Sequence, residues 1–331
     1  MTDVRERPTP LSRVWSGSRI IAEDLDGDDL GDVLELHSGS SAWWVLPRDG
    51  DLDLRLRRLA RELDLDPEAV ADLLATDRRV KAETIGSTRL VIINAVSVDR
   101  ETAEVAARPM SMVITDRALI CLAGAGAEAY GPARALTDDA ERLAAGGVTE
   151  ALLALARRAV QSQAEAVEWL ESAGDELSDV LFQGRPLTRA EQLWSFKLRR
   201  ALTELRRIAQ PTLDVLTDLA QAGPDADPMR PWMLLAERQE RVVHATEAVR
   251  DTLATVFETS LALADQRMNS DVKRLTGWAA VIAVPTLVTG FAGMNVGFPG
   301  HGTVAGFWLY LVIMVVAGAI LFALFRRHDW I

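Results

Sequence analysis

The C-terminal end of this chain holds two apolar runs that a water-soluble fold has no room to hide. Leu275 to Met294 carries no charged side chain over roughly 20 residues, and Phe307 to Phe325 is a second run of roughly 19. At about 1.5 Å per residue, either run crosses the ~30 Å hydrocarbon core of a bilayer as a helix. Both are apolar on every face, whereas a surface helix of a globular domain shows an apolar stripe and a polar back. Lys273 and Arg274 precede the first run, Arg326 and Arg327 follow the second, and the link 296–306 has no Lys, Arg, Asp or Glu. The positive-inside rule therefore places both flanks in the cytoplasm and the short link outside. Trp278, Trp308, Tyr310 and Trp330 fall near interface depth, as an aromatic belt does.

The rest of the chain is charged and acidic. Asp and Glu number 48 against 36 Lys and Arg, a formal net charge of −12. That balance removes the basic footprint of a nucleic-acid binder and favours cations as partners. A single cysteine, Cys121, excludes an internal disulfide and a Cys-based zinc cage; in its apolar run it reads as a small core residue. Met1 to Pro10 is polar and charged, so no signal peptide is expected. The expected location is the cell (plasma or inner) membrane, multi-pass, with both termini cytoplasmic.

Residues 14–50 read as short strands at Val14-Trp15, Ile20-Ile21, Val33 to Leu36 and Ala42 to Leu46. Leu52 to Leu63 and Pro67 to Leu74 read as helices, the second with Asp66 before a proline at the first helical position. Arg89 to Val96 and Met110 to Leu122 are strand-like, the latter a hairpin turning at Asp116-Arg117, and Gly124 to Gly131 reads as a loop. From Thr137 the pattern becomes helical. Thr149 to Phe182 is stopped by Gly184-Arg185-Pro186, and Thr188 to Ala222 opens on a Thr188-Arg189-Ala190-Glu191 capping box. After a break at Gly223 to Pro228, a helical pattern runs from Trp232 into the first apolar run, about 95 Å if unbroken to Met294. The expected organisation is an α/β cytoplasmic domain (1–135), a helical stalk (136–274), a first span (275–295), an external loop (296–306), a second span (307–325) and a cytoplasmic tail (326–331).

The first span ends in Gly293-Met294-Asn295. A Gly-Met-Asn tripeptide closing the first of two C-terminal spans resembles the CorA family of divalent metal ion transporters. The following Asn295-Val296-Gly297-Phe298-Pro299-Gly300 looks most like the ZntB branch, linked to zinc, rather than the magnesium branch. The Arg206-Arg207-Ile208-Ala209-Gln210-Pro211 stretch, the basic-aromatic end Arg326 to Ile331 and the preceding α/β domain are also similar. The stretch between Pro285 and Asn295 is about one residue shorter than the family pattern. The resemblance implies a funnel-shaped homopentamer in the bilayer, with the long helix lining a pore and a ring of Asn295 at its outer mouth. It implies no enzyme activity and no resident cofactor, only a transported divalent cation, Zn²⁺ or Mg²⁺.

Two spans cannot enclose a wet pore, so a conduction path needs several copies round an axis. The spans contain no His, Cys or charged residue, so they offer none of the N, S or carboxylate ligands that a bare Zn²⁺ needs. A largely hydrated ion is therefore expected, with Asn295 amides accepting hydrogen bonds from its water shell. Asn295 also suits a helix C-cap. Gly290, Thr286, Ala283, Ala279 and Thr276 share one small, hydroxyl-bearing helical face, with Leu275 and Val272 forming an apolar constriction below. Phe291, Val288, Val284 and Val281 form a bulkier face. The small face equally suits close helix packing. Driving force is expected from the membrane potential, about 4.6 kcal/mol per 100 mV for a dication, or from a proton gradient. His301 and His328 are the nearest titrating side chains and read as ordinary exposed histidines.

Weaker signals remain. Asp24, Asp26, Asp28 and Glu35 fall at positions of a calcium loop, but Asp29 replaces the required glycine, so a solvated acidic turn is the default. These aspartates, with Asp175 and Asp179 on the first long helix, are candidates for a regulatory cation site. Gly124-Ala125-Gly126-Ala127-Glu128-Ala129 fits a degenerate dinucleotide fingerprint after a strand, but Tyr130-Gly131-Pro132 is not expected to continue a helix. No nucleophile-and-base constellation is present. The alternatives are a Mg²⁺/Co²⁺ channel of the CorA type and a membrane-anchored sensor or scaffold that conducts nothing.

Overall fold

The computed structural model describes residues 11–17, 19–25, 29–48, 51–75, 79–124, 130–138, 140–221, 226–294, 297, 300, 302–328 and 330. Two compact units divide it: 1–177 with 190–254, and 178–189 with 255–331.

The first unit is built on a seven-stranded sheet of order β2-β1-β3-β7-β6-β5-β4. The strands are β1 (Ser12–Ser16), β2 (Arg19–Glu23), β3 (Ser40–Pro47), β4 (Lys81–Ile85), β5 (Thr88–Asp99), β6 (Glu104–Ile114) and β7 (Ala118–Ala123). Neighbours pair antiparallel except β3 and β7, which run parallel with Trp44 opposite Ile120. Period-two alternation sends successive side chains to opposite faces. Trp43, Val45, Leu119 and Cys121 enter one core, while Ala42, Trp44, Leu46, Ile120 and Leu122 enter the other. Both faces are therefore covered, and β7 is buried along its whole length. Cys121 is fully buried, and burial pushes its thiol up to about 12.

Helices α1 (Leu30–Leu36), α2 (Leu52–Glu62) and α3 (Pro67–Leu74) supply Leu30, Leu34, Leu56, Leu59, Val70 and Leu73 to one of these cores. Asp66 caps α3, its carboxylate accepting from Glu68 N at 2.9 Å. Val33 to Leu36, expected as a strand, is helical. Leu30 and Leu34, four residues apart, share the buried face, and Leu36 is left exposed. The second core is closed by α5 (Ala140–Phe182), α6 (Arg189–Gln221) and the start of α7 (Ala226–Ala292). Gly147, at φ +62°, kinks α5 in a conformation that glycine adopts at no steric cost.

Three further departures from the sequence reading are local. β4 was not foreseen; its five residues Lys81–Ile85 are only partly covered and carry little apolar signal. Helix α4 (Tyr130–Asp138) starts where a loop was expected, because Pro132 lies in its first turn, where no intrahelical N–H is required. Likewise α7 begins at Ala226, ahead of the expected Trp232, with Pro228 in its first turn.

In the second unit the end of α7 pairs with α8 (Val304–Arg327). Trp278 meets Phe322 at 6.1 Å and Phe291 meets Tyr310 at 6.5 Å, an antiparallel register. Thr303 caps α8, accepting from Gly306 N at 3.1 Å and donating to Gly300 O at 2.9 Å. A Cβ on Gly306 would lie 2.0 Å from Gly300 O, so only glycine fits that approach. The loop between α5 and α6 is held to α7 by Leu187 N donating to Ser260 Oγ (2.8 Å) and Arg267 Nη2 donating to Gly184 O (3.0 Å).

Candidate ion pathway on the membrane hairpin

Helix α7 passes without interruption from charged to apolar sequence and carries all the residues expected to line a pathway except Gly293, Met294 and Asn295, which follow it. Its apolar end has two opposite faces. Gly277, Val281, Val284, Val288 and Ala292, at helical spacing, are buried or half-buried, the side turned to α8. Thr276, Ala279, Ala283, Thr286 and Gly290 are all exposed. The face predicted to be small and hydroxyl-bearing is thus uncovered among the described residues, as are Trp278, Ile282 and Leu287 beside it, while most of the bulkier face packs. Phe291 departs from that division: it is exposed, with its ring against Tyr310.

Two hydroxyls near the outer end of this helix have their protons committed. Thr286 Oγ1 donates to Ile282 O at 3.0 Å and Thr289 Oγ1 donates to Thr286 O at 3.1 Å. Each oxygen keeps its lone pairs, so toward solvent it is an acceptor, the property needed to hold the protons of an ion's water shell. Lower down, Val272 and Leu275 are 55% and 72% exposed and line a shallow groove with Met268 and Pro186. At the outer end Gly293 N donates to Thr289 O (2.9 Å) and Met294 N to Phe291 O (3.2 Å), so the last helical turn tightens before the loop. Asn295 and His301 lie outside the described residues. An apolar cavity of about 320 Å³ between Thr289, Thr303, Tyr310 and Met314, which sequence reasoning passed over, opens beside this loop.

The acidic candidates are not gathered. Asp24, at φ +50°, accepts from Leu11 N at 2.8 Å, while Asp175 and Asp179 are exposed on α5; Asp26 and Asp28 lie outside the described residues. Among the described residues no group of three or more His, Cys, Asp or Glu side chains is placed to hold a metal ion.

Among the described residues, two helices are long and apolar enough to cross a membrane, one ending at Ala292 and the other Val304–Arg327, and their apolar stretches are almost wholly unburied. Residues 43–327 match the family model described as CorA-like Mg²⁺ transporter protein. The chain belongs to the CorA family. Two C-terminal spans with the N-terminal domain on the cytoplasmic side of the cell membrane follow from that membership.

Among curated relatives, the cobalt/magnesium transport protein CorA of Methanocaldococcus jannaschii is 27% identical over 175 residues, 49% of this chain and 52% of the relative. The divalent cation transporter CmaX of Pseudomonas aeruginosa is 28% identical over 179 residues, 52% of this chain and 50% of the relative. The matched stretch thus spans about half the length of each curated relative. Solved structures extend the likeness in fold. The complete M. jannaschii CorA superimposes with TM-score 0.74 at 19% identity, covering 98% of this chain and all of that one. Full-length CmaX gives 0.73 at 22% identity, covering 98% and 99%. The ZntB cytoplasmic domain of Vibrio parahaemolyticus gives 0.56 at 12% identity, covering 77% of this CorA-family chain and 98% of that domain. An α/β domain followed by long helices and two C-terminal apolar helices is therefore the fold of this chain.

Proposed function

We propose that the chain is one subunit of a homo-oligomeric, pentameric divalent-cation channel or transporter, which moves a largely hydrated ion along the oligomer axis. The observation that carries this reading is the exposed small face of α7 from Thr276 to Gly290, opposite the face that packs on α8. Copies of α7 gathered round an axis would turn that face inward and complete a passage that one chain cannot form. Gly293, Met294 and Asn295 then form the outer mouth, with neutral Asn295 amides binding the water shell weakly enough to release it. Val272 and Leu275 form the apolar constriction on the cytoplasmic side.

Mg²⁺ and Zn²⁺ are both proposed cargo. The names of the curated relatives support magnesium, cobalt or divalent ions broadly, and the Asn295 to Gly300 loop supports zinc. The membrane potential drives inward movement of a dication without nucleotide, and a proton gradient is the alternative source. A regulatory cation on Asp24, Asp26, Asp28, Asp175 or Asp179 would need carboxylates from neighbouring subunits.

The test is flux of Mg²⁺, Co²⁺ and Zn²⁺ into liposomes holding the intact oligomer, wild type against Asn295→Ala. Loss of flux in the variant is expected. Equal flux would remove Asn295 from the pathway. No flux for any dication would leave a membrane-anchored sensor in place of a channel.

A further inference from the structure

Where the charged part of α7 meets its apolar end stand three consecutive exposed residues, Asp271, Val272 and Lys273. At about 100° of rotation per residue, Asp271 and Lys273 lie on opposite flanks of the helix, one to each side of Val272. A four-residue step joins Val272 to Thr276, so Val272 continues the exposed small face. With Val272 turned to an axis, Asp271 points to the neighbour on one side and Lys273 to the neighbour on the other. The two lie only about 3 Å apart along the helix, so copies at one height bring opposite charges level. Among the described residues neither has an ion-pair partner in its own chain.

The flanks also differ in shape. On the Asp271 side a groove of about 450 Å³ runs between α7 and the α5–α6 loop, lined by Pro186, Ala264, Met268 and Leu275 with Asp271 among them. Met268 and Leu275 are 62% and 72% exposed, so this chain leaves the apolar wall uncovered. The loop wall is fixed by the bonds of Leu187 N to Ser260 Oγ and of Arg267 Nη2 to Gly184 O. On the Lys273 side Ala262, Gln266 and Asn269 follow at helical spacing, a ridge of small and polar side chains, all exposed.

Charge selects the occupant. Copies in one membrane stand parallel, so a two-fold pairing through either flank would set Asp271 against Asp271 or Lys273 against Lys273. A head-to-tail contact sets one flank against the other and closes into a ring. Packed helices lie about 8–10 Å apart, within reach of a lysine and an aspartate on facing flanks.

We infer that α7 of a second copy fills this groove, with its Lys273 against Asp271. Each copy gives a lysine to one neighbour and an aspartate to the other, and both charges point away from the passage that Val272 narrows. This contact rests on the oligomer proposed above and specifies which flanks meet.

The experiment cross-links the full-length protein in liposomes with a short bismaleimide and reads the products on a denaturing gel. Cys121 is fully buried, so the native chain should stay monomeric on the gel. The double variant Asp271→Cys/Lys273→Cys should give a ladder of dimers and larger species. Each single variant, whose cysteine faces a lysine or an aspartate, should not. As a second measurement, Asp271→Lys should lower the melting temperature of the detergent-solubilised oligomer by several degrees, and Asp271→Lys/Lys273→Asp should recover most of the loss. Oligomers of normal size without a ladder would overturn this contact and leave the channel reading standing, whereas a monomeric wild type would overturn both. A ladder as strong from a single variant, or a charge swap no better than the reversal alone, would also overturn the contact.

Discussion

The side-chain amide of Gln239 donates to Gln163 Oε1 at 2.7 Å, and neither residue has any exposed surface. Around this bond the sheet and three long helices are pinned together. Gln163 on α5 donates to Asn94 O of β5 (2.7 Å) and to Thr212 Oγ1 of α6 (3.3 Å). Gln239 on α7 also donates to Ala209 O of α6 (2.8 Å), and Thr212 Oγ1 donates to Ile208 O (2.8 Å). Pro211 interrupts α6 there by lacking an N–H, and these side chains occupy carbonyls next to the interruption. Apolar packing holds elements together without fixing their sliding register; a buried hydrogen-bonded network fixes it.

Replacing Gln239 by leucine should therefore destabilise the first unit by about 1–3 kcal/mol, since it strands the buried acceptor Gln163 Oε1 and removes the side-chain bond to Ala209 O. Thermal or urea unfolding of the full-length protein measures it. An unchanged midpoint would mean that the network tolerates the loss of its centre.

The native chain is already suited to thiol mapping of the α7 faces. Cys121 is its one cysteine, fully buried and with its thiol raised to about 12, so it holds almost no thiolate at neutral pH. Ala279→Cys and Ala283→Cys should be modified by a water-soluble methanethiosulfonate reagent in liposomes and should lose flux on modification. Val281→Cys and Val284→Cys, on the side packed towards α8, should react far more slowly. The reverse pattern would place the wrong face on the pathway.

Gly306→Ala puts a Cβ against the Gly300 carbonyl and should cost the α7–α8 hairpin about 2 kcal/mol or more. The melting temperature of the detergent-solubilised oligomer checks it, with Gly318→Ala, where nothing lies within 4 Å, as the neutral comparison.

Lys81 donates to Asp72 (2.5 Å) and Glu83 (2.9 Å), and chiefly the Asp72 hydrogen bond raises its pKa above 10.5. A cation whose folded pKa is raised contributes fully at neutral pH and loses its contribution as pH climbs past 10.5 through the higher folded value. Because the pair is partly exposed, Lys81→Met should cost about 0–1 kcal/mol at pH 7. Melting curves of variant and wild type should converge at strongly alkaline pH.

Elements with strong periodicity were legible in advance. The Pro67 to Leu74 helix, the hairpin at Asp116-Arg117 and both apolar helices carry their signals within one segment, as caps, turn residues or unbroken apolar runs. Val33 to Leu36 was misread because a few β-branched and apolar residues fit either period, and only the covering of Leu30 and Leu34 by the sheet selects the helix. Tyr130 to Pro132 was misread because glycine and proline break helix interiors yet are harmless in a first turn. Of the candidate pathway, the small face of α7 was legible from spacing alone. That α8 covers the opposite side was not, since two apolar helices can meet in many rotations.

What the linear order determined by itself is local and additive: two charge-free runs long enough for a bilayer, their orientation, and a small stripe ending in Gly293-Met294-Asn295. These depend on solvation and helical periodicity, which act along one segment. The tertiary structure decided what must be brought together from afar: Gln163 beside Gln239, Pro186 in one groove with Met268, and the free side of α7. Such contacts join residues tens of positions apart, and packing, which no segment carries alone, selects among them.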